Sequence, residues 1–162
     1  ATMNPQDTNT ERLSDVLLDR MDMITMTYPE TVQLEEQIVL GKAHKMIVTF
    51  PTPLLNYLVL FVRELRDNKN LEKVPSVRAT IGIYERAQST ALLHHRQEVS
   101  FDDVKSVIPS VLSHRIKLKP SIRYLQTTET FLKKELEEFT EHGLGKQALE
   151  QRSFDEESSD SP

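Results

Sequence analysis

Two arginines and a few histidines are the residues whose type and placement could support chemistry. Arg20 lies in Leu18-Asp19-Arg20-Met21, immediately ahead of a run rich in threonine and apolar side chains. Arg78 lies in Ser76-Val77-Arg78-Ala79, at the start of a segment with helical spacing. A guanidinium group presents several donors in a fixed planar fork, so it can grip phosphate oxygens or bridge to a carboxylate. A helix N-terminus also attracts phosphate. On the residues alone, the ordinary reading of each is a surface or ion-pair arginine. His94 and His95 are adjacent, and neighbouring helix positions point apart, so they read as exposed polar side chains rather than a metal site. His44 and His114 are far from them in sequence.

Several chemical signatures are missing. The chain has no G-x-x-x-x-G-K-[ST] phosphate loop, no H-E-x-x-H zinc helix and no G-x-S-x-G nucleophile elbow. Without a phosphate loop and a magnesium-binding acidic strand, this stretch of protein is expected to hydrolyse no ATP by itself.

The elements that must position these residues are mostly helical. Residues 1–12 are polar and are expected to form a flexible N-terminal segment. Residues 21–28 (Met-Asp-Met-Ile-Thr-Met-Thr-Tyr) read as a short strand stopped by Pro29. A lone strand leaves backbone groups unpaired, so it is expected to need partners from elsewhere. Thr31 caps a predicted helix with Leu34, Ile38 and Val39 inward. From Pro53, the residues Leu54, Leu55, Leu58, Val59, Phe61, Val62 and Leu65 form a strong helical stripe that ends at residues 66–70.

Ser76 is expected to cap a long helix reaching Leu93, with Val77, Ile81, Tyr84, Gln88 and Ala91 inward and Ala87 allowing close packing. Ser100 and Asp103 suggest a capping box for the next helix, and Pro109 should split or kink it. Residues 121–140 read as a last helix with Leu125, Leu132, Leu136 and Phe139 packed. Gly143 and Gly145 loosen the chain. Residues 153–162 carry four acids and no base, the composition of a disordered tail.

Bulk properties narrow the function classes. A chain of 162 residues allows one domain with a real core. Lys plus Arg total 20 against 25 Asp plus Glu, a net charge of -5, which disfavours nucleic-acid binding as the main activity. There is no cysteine, so disulfides and thiolate sites are excluded and a cytoplasmic setting fits. No apolar run is long enough to span a membrane. An N-terminus reading Ala1-Thr2-Met3 suggests a trimmed tag or an internal cut in a longer protein, ahead of a natural start.

The run Leu13-Ser14-Asp15-Val16-Leu17-Leu18-Asp19-Arg20-Met21 resembles the L-P-E-A-x-L-D-R-F segment of MoxR-type AAA+ ATPases, with Ser14 in place of proline and Met21 in place of the aromatic. Tyr28-Pro29 is similar to the Y-P that follows in that family. Pro75-Ser76-Val77-Arg78-Ala79 resembles the family's G-A-S-P-R-A pattern, with Pro75 for alanine and Val77 for proline. Residues 86–93, residues 99–104 and Pro109-Ser110-Val111-Leu112-Ser113-His114-Arg115-Ile116 look like the lid patterns R-A-x-x-A-L-A, V-x-x-x-D-V and P-x-V-L-x-H-R-L. The likeness covers residues 13–118.

This resemblance implies a helical AAA+ lid bundle with one short N-terminal strand left from an α/β core. Residues 13–30 would be the end of that core, 31–142 the lid and 143–162 an acidic tail. It implies that Arg20 is an arginine finger reaching a neighbouring subunit's nucleotide, and that Arg78 contacts phosphate within its own subunit. The full-length parent would use ATP and Mg2+ and form a ring, with six subunits expected. It would remodel or mature partner proteins in a chaperone-like way, including ones with a von Willebrand factor A domain. His114-Arg115 could bind a carboxylate at a helix end or meet the adjacent core. One rival is a non-catalytic helical protein-interaction module. A second is nucleic-acid binding, opposed by the net charge and by the lack of a concentrated Lys/Arg face.

Overall fold

The computed structural model describes residues 13–141. The segments expected to be mobile at residues 1–12 and in the acidic tail, with Gly143 and Gly145, lie outside them. The elements in order are α1 (Asp15–Leu18), α2 (Val32–Lys42), α3 (Thr52–Asp67), β1 (Leu71–Lys73), α4 (Val77–Leu93), α5 (Phe101–Leu112), β2 (Lys117–Leu118), α6 (Pro120–Arg123) and α7 (Thr128–Glu141). None of the helices is long and apolar enough to cross a membrane, among the described residues.

The expected helical bundle is present, and α3 is its centre. Proline is tolerated in the first turn, where its missing amide has no intrahelical partner anyway, so Pro53 starts the helix without harming it. All seven residues of the predicted stripe are buried, and Tyr57 joins them. Tyr57 meets Phe101 and Phe139 edge-on at ring separations of 5.2 Å, which ties α3 to α5 and α7. Its hydroxyl pairs with Thr140 at 2.8 Å, and burial pushes the phenol up to about 12, with the Thr140 bond offsetting part of that rise.

Capping chemistry fixes several boundaries. Thr31 accepts the Leu34 amide at 3.1 Å and starts α2. Ser100 and Asp103 close a reciprocal capping box on α5. Gly82 of α4 lies so close to α5 that an added Cβ would sit 3.3 Å from Val111 Cγ1.

The end of α4 is a Schellman turn. The Arg96 amide donates to Ala91 O at 2.9 Å and the His95 amide to Leu92 O at 3.0 Å. His95 takes the left-handed conformation, φ 56°, which is unfavourable for a residue with a Cβ. His95→Gly is expected to raise stability by roughly 0.5–1 kcal/mol, the steric relief exceeding the added unfolded-state entropy. Urea denaturation checks this, and an unchanged or lower midpoint would contradict it.

Residues 21–28 form no strand: Met23, Ile24 and Met26 are exposed and no described segment pairs with them, in keeping with the expectation that a strand there needs partners from elsewhere. Three other expectations are corrected. Among the described residues the strands are β1 and β2, antiparallel, with Leu71 opposite Leu118 and Lys73 opposite Lys117. The α5 helix is not split at Pro109; the carbonyl deprived of a donor belongs to Lys105, on the exposed side, and Ser113 donates both its amide and its hydroxyl to Pro109 O. The last predicted helix is two, α6 and α7. Leu125 is 80 % exposed between them, and Thr127 Oγ1 accepts the Thr130 amide at 3.2 Å to restart the chain.

The inner faces are also turned slightly. In α2, Leu34 is exposed while Glu35 and Val39 point inward. In α4 the buried set is Ala79, Thr80, Ile83, Tyr84, Ala87, Gln88 and Ala91, so Val77 and Ile81 sit at its margin.

Candidate functional site

Arg78 is the second residue of α4, a helix of 17 residues, and its side chain is exposed. Ser76 provides the extended N-cap backbone, yet its hydroxyl makes no capping bond to the first turn. The helix therefore begins without a side-chain cap from Ser76, although the Ala79 amide donates to Ser76 O at 2.8 Å. Arg78 stands exposed in its first turn, and a helix start and a guanidinium both favour an anion. Arg20 lies in the turn after α1, with its amide donating to Leu17 O at 3.2 Å and its side chain exposed.

The other described arginines behave differently. Arg63, Arg66, Arg86, Arg96 and Arg115 all donate to protein acceptors. Arg20, Arg78 and Arg123 make no side-chain hydrogen bond or ion pair with a described residue. Arg115 makes no ion pair with a described carboxylate. It donates to Val111 O at 2.6 Å and lies 2.7 Å from His114 Nε2. His94 and His95 are exposed. No group of three or more His, Cys, Asp or Glu residues is placed to hold a metal ion, among the described residues.

Behind Arg78 lies a buried polar centre that the hydrophobic pattern did not indicate. Glu35, fully buried on the inner face of α2, accepts two bonds of 2.6 Å from the fork of Arg66. It also accepts the Thr80 hydroxyl at 2.9 Å and pairs with Arg63 at 3.5 Å. The remaining donors are satisfied by main chain. Arg63 holds Pro29 O and Glu30 O at 2.9 and 3.0 Å, and Arg66 Nε holds Pro75 O at 3.0 Å. The Tyr28 ring lies 4.7 Å from the Arg66 guanidinium carbon. Arg66 thereby fixes the chain three residues ahead of Arg78. The available signal was Glu35 at i−4 from buried Val39, facing two arginines three apart on α3.

A second clamp closes the loop between α4 and α5. Arg96 reaches both Asp103 oxygens at 2.6 and 2.5 Å, and the Ser100 amide and hydroxyl bond Asp103 Oδ2. Burial alone would raise the Asp103 carboxyl, but Arg96 and Ser100 outweigh it and hold it below the usual carboxylate range. An acid held lower in the folded chain than in the unfolded one stabilises the fold above its unfolded pKa. That stabilisation is lost as pH falls through the folded value. Asp103 should therefore contribute full stability at neutral pH and lose it below about pH 4. Urea midpoints against pH should fall less steeply in Asp103→Asn, and identical acid limbs would contradict the assignment.

Comparison with known proteins places this architecture. Residues 72–135 match the model of the AAA lid domain family. The uncharacterized protein YeaC of Bacillus subtilis (strain 168) is 28% identical over 111 residues, which cover 66% of this chain and 35% of that protein. The crystal structure of a "putative ATPase" from Cytophaga hutchinsonii ATCC 33406 matches with a TM-score of 0.51 at 22% identity, over 83% of this chain and 51% of that one. The chain thus spans about a third of the curated relative and about half of the solved structure. The matched span contains α4 to α6 and the first part of α7, and holds Arg78 together with the Arg96–Asp103 clamp. The helical bundle agrees with the likeness of residues 72–135 to the AAA lid domain family, and the solved structure shares the fold.

Proposed function

We propose that the chain is the lid-bearing part of a MoxR-type AAA+ ATPase, with residues 31–142 as the lid and 13–30 as the end of the nucleotide-binding core. The observation that carries this reading is Arg78: an unengaged guanidinium at an uncapped helix start whose preceding carbonyl is held from inside the lid. Such a group suits the phosphates of a nucleotide lying between core and lid.

The chain has no phosphate loop, so the triphosphate and Mg2+ would be held mainly by core residues. The bound nucleotide and metal supply the phosphoryl group and part of the charge neutralisation. This chain's share is two guanidinium groups. Arg78 binds phosphate within its own subunit and fixes lid position. Arg20, exposed and without a described partner, extends toward the nucleotide of an adjacent subunit. Residues 21–28, with their exposed apolar side chains, would join the core sheet. The assembly is a cytoplasmic ring, expected to be hexameric, that couples hydrolysis to chaperone-like remodelling of partners, including von Willebrand factor A domain proteins.

The test is nucleotide affinity of the full-length protein. Arg78→Ala should weaken binding of a non-hydrolysable ATP analogue with Mg2+ by about 10–100-fold, the effect of losing one charge-assisted contact of about 1.5–3 kcal/mol. Equal affinity by calorimetry would reject the assignment.

A further inference from the structure

The buried carboxylate behind Arg78 joins two parts of the chain that a moving lid must coordinate. On one side lies the segment by which the lid leaves residues 21–28: Arg63 forks onto Pro29 O and Glu30 O, and the Tyr28 ring faces Arg66. On the other side lies the start of α4, anchored twice, at Pro75 O by Arg66 Nε and at Thr80 Oγ1 by Glu35. Arg78 sits between these two anchors with its own side chain outside the network.

We propose that Glu35, acting through Arg63 and Arg66, couples the linker at residues 28–30 to the start of α4, so that phosphate contact at Arg78 sets the angle at which the lid leaves the preceding segment. The inference rests on the reading of Arg78 as a phosphate contact. Its physical basis is the geometry of the fork. Two parallel bonds of 2.6 Å to a fully buried carboxylate define a plane as well as a distance. If the start of α4 shifts alone, Arg66 must release Pro75 O or Glu35 must release Thr80, leaving polar groups unpaired in a dry interior. If α4, the Arg63/Arg66 side of α3 and the linker shift together, every one of these bonds survives. Concerted motion is therefore the low-cost path, and the network is a two-ended positioning device with one end at Arg78 and the other at the hinge.

A double-mutant cycle in the full-length protein separates coupling from static bracing. Arg63→Gln releases the linker without touching Arg78, and affinity for a non-hydrolysable ATP analogue with Mg2+ is measured by calorimetry. In the wild-type background, Arg63→Gln should weaken binding about five- to tenfold, within the usual range of allosteric coupling. In the Arg78→Ala background the same change should alter affinity less than about twofold, because the end that senses phosphate is gone. Thr80→Val cuts the network on its α4 side, is expected to show the same pattern, and replaces Arg63→Gln if that variant fails to fold.

Equal weakening in both backgrounds would overturn the coupling and leave the reading of Arg78 intact. The absence of any effect of Arg63→Gln or Thr80→Val in the wild-type background would overturn it as well. If Arg78→Ala itself binds nucleotide like wild type, the phosphate reading fails and the coupling falls with it.

Discussion

Glu35→Ala should destabilise the fold by about 3–5 kcal/mol, the usual cost of removing one partner of a buried ion pair. The Arg66 side chain is only 7 % exposed and would lose both of its short carboxylate bonds. Thr80, fully buried, would lose the acceptor of its hydroxyl. Arg63 is partly exposed and keeps the carbonyls of Pro29 and Glu30, so it contributes little to the penalty. The loss is a large part of the ~5–15 kcal/mol that keeps a typical domain folded. Glu35→Gln preserves shape and one acceptor and should fall between the two. Urea denaturation at unchanged slope measures the difference. A shift below about 1 kcal/mol would show that water or rearranged main chain can replace the carboxylate.

The second large effect is catalytic. Under the proposed function, Arg20→Ala should lower ATP turnover of the assembled full-length protein by about 10³-fold or more, as removal of an arginine finger does. The mutation should leave the fold unchanged, because Arg20 is exposed and its guanidinium meets no described residue. Nucleotide affinity of the isolated subunit should also be unchanged, since the proposed contact is made to a neighbour. Loss of affinity in the isolated subunit would place Arg20 in its own subunit's site, contrary to the proposal.

The parts of this fold legible in the sequence are those written in local chemistry. The α3 stripe, the extent of α4 from Ser76 to Leu93 and the capping box of α5 all follow from spacing and end residues. The parts that were not legible depend on contacts distant in sequence. Strands β1 and β2 hold three and two residues and exist by pairing across more than forty positions. Residues 21–28 carry strand propensity, but propensity makes no ladder without a second strand. Pro109 lacks an amide, yet the carbonyl it leaves unpaired lies where water can reach, so α5 passes through. At Leu125, apolar character suggested packing where the chain breaks between two helices.

The candidate site divides in the same way. Arg78 at a helix start could be placed from Ser76 and the apolar spacing beyond it. That no described residue engages it could not, because that depends on which arginines the buried carboxylate consumes. Polarity patterning assigns a glutamate to the outer face of a helix, whereas Glu35 sits on the inner one. Its burial is made tolerable by donors from α3 and α4, which only the assembled fold brings together.

The most direct test of a lid working within an ATPase ring is turnover by mixed full-length subunits. One partner carries Arg20→Ala with an intact phosphate loop, and the other carries an intact Arg20 with a disabled phosphate loop. Under the proposed function each alone should be inactive, and mixing should restore a substantial fraction of wild-type turnover, because the arginine of one subunit would complete the site of the next. Full activity of the Arg20→Ala protein alone, or no recovery in mixed rings of confirmed assembly, would contradict the account.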